Sequence, residues 1–189
     1  MYLKKRISDH VSIINNLNEE FYKKFNFLCE MSLKKIIKGG KIIFIGNGGS
    51  AADAMHFSAE LVGKFKRERE PIDSICLNTN ISNLTAIAND YSYENIFVRQ
   101  LKSTVKKDDV LIAISTSGKS KNIISSLNYC IDNQIFCSLW TGGKLLDLKS
   151  DCDICVPSKE TDLIQEVLFL VGHSFCEYLE NNFDKKIEF

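Results

Sequence analysis

Two strand-sized apolar runs, KIIFIG (41–46) and VLIAIS (110–115), each pass straight into a glycine- and hydroxyl-rich loop that opens a helical stretch. Three further runs have the same character: SICLN (74–78), FCSLW (136–140) and DICVP (153–157), the last ended by Pro157. Short continuous apolar runs of this kind read as strands buried on both faces, and such strands alternating with helices build a parallel sheet covered on both sides. Helical stretches are expected over 50–64, 81–89, 93–104, 120–132 and 162–181. The expected fold is therefore an α/β three-layer sandwich with a five-stranded parallel sheet in the doubly wound order 2-1-3-4-5. In that order the ligand crevice lies outside the carboxyl ends of strands 1 and 3, where the chain diverges. The loops arriving there are GNGGSAAD (46–53) and STSGKS (115–120).

Ahead of the first strand, Ile14, Leu17, Phe21, Leu28, Met31 and Ile36 recur at roughly helical spacing, and Gly39-Gly40 supplies a stop. This predicts one long N-terminal helix with room for a break near its start. The chain reads as a single domain, 1–189, with 1–38 as a helical extension used in oligomerisation and 39–182 as the core.

Charge and cysteine content exclude several classes. Lys plus Arg and Asp plus Glu are equal at 24 each, so no bulk positive field draws the chain onto nucleic acid or an anionic membrane. The longest apolar runs fall far short of a membrane span. The start, MYLKKRISDH, has charge and no apolar core of a signal peptide, which makes a cytoplasmic location the default expectation. Seven cysteines, an odd number, do not read as a disulfide framework. Cys152 and Cys155 have C-x-x-C spacing but fall on a strand, where residues three apart face opposite ways, and no second C-x-x-C completes a zinc site.

STSGKS puts Ser115, Thr116, Ser117 and Ser120 around Gly118 at a helix start. Hydroxyls, free N–H groups and the helix dipole together favour an anion such as phosphate over a plain connecting turn. GNGGSA also fits G-x-G-x-x-A, which raises a dinucleotide-binding rival. The rival needs an acidic residue at the end of strand 2, where this chain has Leu77-Asn78-Thr79. No G-K-[ST] follows the glycines, so it is not a P-loop either. The better use of Gly48 and Gly49 is close backbone approach to a sugar, with the Asn47 amide bonding hydroxyls and Ser50 capping the next helix. No nucleotide cofactor is expected.

On that helix His56 and Glu60 are four apart and share a face. They serve as a proton-transfer pair, as two ligands of a divalent metal, or as an ordinary surface pair. His173 lies among apolar residues on the last helix, eight residues beyond Gln165, and alone reads as a core position as readily as a site. The charge run KFKRERE (64–70) reads as a solvated loop.

GNGGSAADAMHFSAEL, LTAIANDY, ISTSGKS, VPS and IQE…GH, in this order from about Gly39 to Tyr178, together resemble the bacterial phosphoheptose isomerases of the SIS (sugar isomerase) family. The resemblance implies the SIS domain with its flavodoxin-like strand order, a homotetramer with sites at subunit interfaces, and conversion of sedoheptulose 7-phosphate to D-glycero-D-manno-heptose 7-phosphate. That reaction opens ADP-heptose precursor synthesis for lipopolysaccharide core. At matched positions Asn47, Gly48, Gly49, Asn89 and Asp90 are implied to contact sugar. Ser115, Thr116, Ser117 and Ser120 are implied to hold phosphate, with Glu60 and His173 as acid–base pair. In members that carry zinc, the ligands match His56, Glu60, Gln165 and His173, and Gln165 and Glu60 also face substrate. Two departures stand out: Leu163 replaces a common arginine before IQE, and LWTGGKLLDL (139–148) is short and glycine-poor. A sister group, a replication-initiation protein that binds the DnaA initiator, shares several of these motifs but lacks the acid–base pair. This chain has both residues.

Overall fold

The computed structural model describes residues 1–143 and 150–183. Its five strands are β1 (Ile42–Gly46), β2 (Ser74–Cys76), β3 (Val110–Ile114), β4 (Phe136–Gly142) and β5 (Cys152–Val156). They form one parallel sheet in the order β2-β1-β3-β4-β5, as expected. The helices among the described residues are α1 (Tyr2–Asn15), α2 (Glu19–Ile37), α3 (Gly49–Val62), α4 (Ile81–Asp90), α5 (Val98–Thr104), α6 (Lys121–Asp132) and α7 (Thr161–Phe183).

Alternation along the strands divides the core between two faces. Ile42 and Phe44 of β1 and Ile112 and Ile114 of β3 pack with α2, α3 and α7, through Leu28, Phe57 and Phe175. Ile43, Ile45, Leu111 and Ala113 pack the other way, against Leu101 of α5 and Ile123 and Leu127 of α6. In register, Gly46 lies beside Ile114. The loops that follow β1 and β3 therefore leave the sheet side by side, which is what the topological argument requires.

Three local expectations are corrected, and the break allowed for near the start of the N-terminal helix is located. It falls just before Glu19, because the Asn18 side chain accepts the Phe21 N–H at 3.0 Å and Glu19 and Glu20 fill the first turn of a new helix. That helix ends as expected: Gly39, at φ 85°, and Gly40 donate to the Ile36 and Lys35 carbonyls, a Schellman closure. Ser50 does not cap α3; Gly48 stands at the cap with φ 57°, and Ser50 is buried inside the first turn. The stretch 93–104 divides into one 3-10 turn (Tyr93–Asn95) and α5. The charge run 64–70 is not simply solvated. The Arg69 side chain is fully buried beside Glu180 of α7, and the Glu180 carboxylate accepts the Lys66 backbone N–H at 3.1 Å. Residues 144–148 of the glycine-poor segment lie outside the described residues, while Leu163 is buried.

Candidate active site

Helices α3 and α7 run alongside each other, and three matching levels tie them together. At the first level the Gln165 side chain lies over Gly49: a Cβ there would sit 2.3 Å from Gln165 Nε2. Gln165 also neighbours Asp53, whose carboxyl is raised above the usual carboxylate range by burial, against opposing pulls from Gln165 and His56. At the second level His56 Nε2 and His173 Nε2 are 2.9 Å apart, with Glu60 Oε1 3.3 Å from His56 Nε2. At the third, Glu180 clamps the loop that follows α3.

The second level is possible because of Gly172. A Cβ on that residue would fall 2.1 Å from the Phe57 ring, so only glycine lets α7 approach α3 this closely. Aromatic rings then wall the imidazoles. Phe169 stacks on His56 at 4.9 Å between centroids and meets His173 edge-on at 4.5 Å, while Phe65 stacks on the far face of His173 at 5.5 Å. Burial, the neighbouring His56 and Lys66 lower the His173 pKa below the ordinary histidine value, against a smaller opposing pull from Glu60. The imidazole is thus held neutral near neutral pH, able to donate at one nitrogen and accept at the other.

The nitrogen and oxygen donors of His56, Glu60 and His173 all lie within 4.8 Å of one another. A tetrahedral zinc site with the usual bond lengths separates its ligand atoms by about 3.3 Å. Two imidazoles and a carboxylate at 2.9 and 3.3 Å fit that donor set and spacing. Gln165 of the same chain does not join them, since it rests at the Gly49 level, seven residues or roughly 10 Å back along α3.

The hydroxyl loop is built as a nest at the start of α6. Gly118 has φ 63° and donates to the Ser115 carbonyl at 3.0 Å, and Ser117 Oγ accepts the Lys119 N–H at 3.2 Å. Ser115 is buried with its Oγ 3.4 Å from Ser120 Oγ; Ser117 is exposed and Thr116 half-buried. Ser120 stands at the helix cap without a capping side-chain bond. Asn47 faces this loop from the other side of the crevice mouth. Its amide pairs with that of Asn122, a buried residue that sequence reasoning missed, in two bonds of 2.9 Å. The only available signal was an asparagine two residues after the hydroxyl run. Asn89 and Asp90 bond each other at the exposed end of α4, and among the described residues no hydrogen bond joins them to either loop.

Comparison with known proteins shows the family. The family model for the SIS domain matches residues 7–135. The phosphoheptose isomerase of Helicobacter pylori is 41% identical over 187 residues, covering 97% of both chains. This chain belongs to the phosphoheptose isomerase family. Among solved structures, the phosphoheptose isomerase of Neisseria gonorrhoeae superposes with a TM-score of 0.86 at 30% identity, covering 95% of this chain and 97% of its own. That of Francisella tularensis gives 0.85 at 30% identity over 95% of each.

The C-x-x-C pair takes no part. Both cysteines lie on β5, and burial pushes the Cys152 thiol up to about 12, far from a reactive thiolate.

Proposed function

We propose that this chain interconverts sedoheptulose 7-phosphate and D-glycero-D-manno-heptose 7-phosphate through an enediol. The observation that carries the reading is the joining of Glu60 and His173 through His56, on the helix that starts from the glycine loop after β1. The Ser115, Thr116, Ser117 and Ser120 loop holds the phosphate at the positive end of α6 and supplies remote binding energy that orients the reacting carbons. Asn47, Gly48 and Gly49, with Asn89 and Asp90, meet the sugar. Glu60 takes the proton from C1 of the ketose and returns it to C2. His173, neutral, relays protons between the two oxygens as one carbonyl becomes a hydroxyl and the neighbouring hydroxyl a carbonyl.

His56, Glu60 and His173, with a Gln165, would hold zinc; when bound it polarises the carbonyl as a Lewis acid. The working form is a homotetramer in the cytoplasm, making heptose precursors for lipopolysaccharide core. No helix among the described residues is long and apolar enough to cross a membrane. The test is direct: purified protein given sedoheptulose 7-phosphate should yield the aldose by NMR, and Glu60→Gln should bind the sugar phosphate without converting it. Full turnover by that variant, or none by the wild type, would overturn the reading.

A further inference from the structure

The side chain of Asn47 is fixed by a chain of hydrogen bonds that begins in the backbone of α6. Asn122 Oδ1 accepts the Ile123 N–H at 3.0 Å, an N–H that it shares with the Ser120 carbonyl at 3.1 Å. An NH2 in that place would set two donors against each other, so the Asn122 amide is assigned with its oxygen toward Ile123. Asn122 Nδ2 then donates to Asn47 Oδ1, and Asn47 Nδ2 donates back to Asn122 Oδ1, both at 2.9 Å. Tyr93 Oη gives a third bond, donating to Asn47 Oδ1 at 2.9 Å. Asn47 Oδ1 thereby receives two donors, which fills its lone pairs. What remains on the Asn47 side chain is one N–H.

Asn122 is 2% exposed, and its carbonyl accepts the Ser126 hydroxyl at 2.7 Å, so it is locked into the first turn of α6. Tyr93 by contrast is exposed, on the 3-10 turn after α4. The reciprocal amide pair spans the crevice mouth, from the loop after β1 to the helix that follows the hydroxyl loop.

We propose that Asn122 is a positioning residue that converts Asn47 into a fixed, donor-only contact for a sugar oxygen, with Tyr93 as the second half of the same device. This rests on the sugar-phosphate reading above. Without the pair, an asparagine amide rotates freely and presents either oxygen or nitrogen to a ligand. With it, the Asn47 N–H is set before substrate arrives, and a preset donor costs little to reorganise when negative charge builds on a carbonyl oxygen. The pair also sets the distance between the sugar-facing loop and the phosphate-facing loop, a spacing a phosphorylated open-chain sugar has to match.

The test compares binding of sedoheptulose 7-phosphate and inorganic phosphate by calorimetry. Asn122→Ala should weaken the sugar phosphate by about tenfold, the loss of an oriented hydrogen bond, and leave inorganic phosphate unchanged. In an Asn47→Ala background the same change should add less than about twofold, because the two residues act as one unit. Tyr93→Phe, an exposed change that leaves folding intact, should weaken the sugar phosphate by about threefold and spare phosphate. Equal losses for both ligands, or effects of Asn47→Ala and Asn122→Ala that multiply, would overturn the positioning role alone. A wild-type protein that binds phosphate but no sugar phosphate would overturn the function reading and this inference with it.

Discussion

His56 Nε2 and His173 Nε2, 117 positions apart in the chain, lie 2.9 Å from each other with the Glu60 carboxylate 3.3 Å from His56. Two imidazole nitrogens at that distance share one proton or one metal ion, because both cannot present a hydrogen to the other. The stacked Phe169 and Phe65 rings prevent them from turning away.

Zinc should therefore stabilise the fold. At a hundredfold excess over its dissociation constant, a ligand that binds only the native state adds about 2.7 kcal/mol. Thermal melts with and without zinc, at fixed protein concentration, should show a clear rise for the wild type. His56→Ala and His173→Ala should each abolish it. A rise that survives both changes would place the metal elsewhere.

Gly172→Ala should behave against the usual rule for helices. In a solvent-facing helical position that change stabilises by about 1 kcal/mol. Here the new methyl meets the Phe57 ring 2.1 Å away in a close-packed core, and overpacking of this kind costs about 1–3 kcal/mol. The helix shift that relieves it separates His173 from His56. Turnover should fall steeply while phosphate affinity stays near normal. A stabilised, fully active variant would show that the α3–α7 spacing does not set the site.

Glu180 and Arg69 form a buried pair at the far end of the same helix contact, with Arg67 donating to the Glu180 carbonyl as well. Removing one member of a buried pair strands the other charge and typically costs about 3–5 kcal/mol. Glu180→Ala should lower the melting temperature accordingly, and release of the 64–70 loop should carry Phe65 off His173. Limited proteolysis near Lys66 and Arg67 checks the release: cleavage should quicken in the variant. An unchanged melt would mean that the buried pair does not hold the loop in place.

Ser117→Ala isolates the anion loop. Ser117 is exposed at the mouth of the α6 nest, and loss of a hydrogen bond to a charged group costs about 1.5–3 kcal/mol. Binding of sedoheptulose 7-phosphate should weaken by that amount, and binding of unphosphorylated sedoheptulose should barely change. Equal losses would mean that the loop does not hold phosphate.

The sheet, its order and its crevice were legible because continuous apolar runs and glycine-rich exits are local signals. Residues that act across the fold were not. Asn122 looked like any polar residue in a first helical turn, and its partner is 75 positions away. Gly172 carried no turn or cap signature, since its role is to leave room for Phe57. Arg69 read as part of a solvated charge run, and Glu180 was not singled out, because burial of an ion pair depends on packing that composition does not encode. The break at Asn18 was the exception. An asparagine followed by two glutamates is a readable helix start, and the sequence reading left room for a break there without placing it, because apolar spacing runs through it.

The last prediction concerns where the fourth ligand comes from. Gln165 and His173 are eight residues apart on α7, a rise of about 12 Å with a rotation of about 80°. Within one chain Gln165 lies on Gly49 and beside Asp53, whereas His173 meets His56 one level further along α3. To reach the His56–Glu60–His173 cluster, Gln165 of the same chain would have to abandon those contacts and extend along its helix, a poor arrangement for a site that needs fixed geometry. A Gln165 from another chain of a symmetric oligomer satisfies the cluster without that cost. Gln165→Ala and His173→Ala should each be inactive alone. Co-expressed, with mixed oligomers confirmed by native mass spectrometry, they should regain part of the wild-type turnover, because some sites then carry both native residues. Mixed oligomers that stay inactive would assign both residues to sites within one chain, with Gln165 acting at its own level beside Asp53.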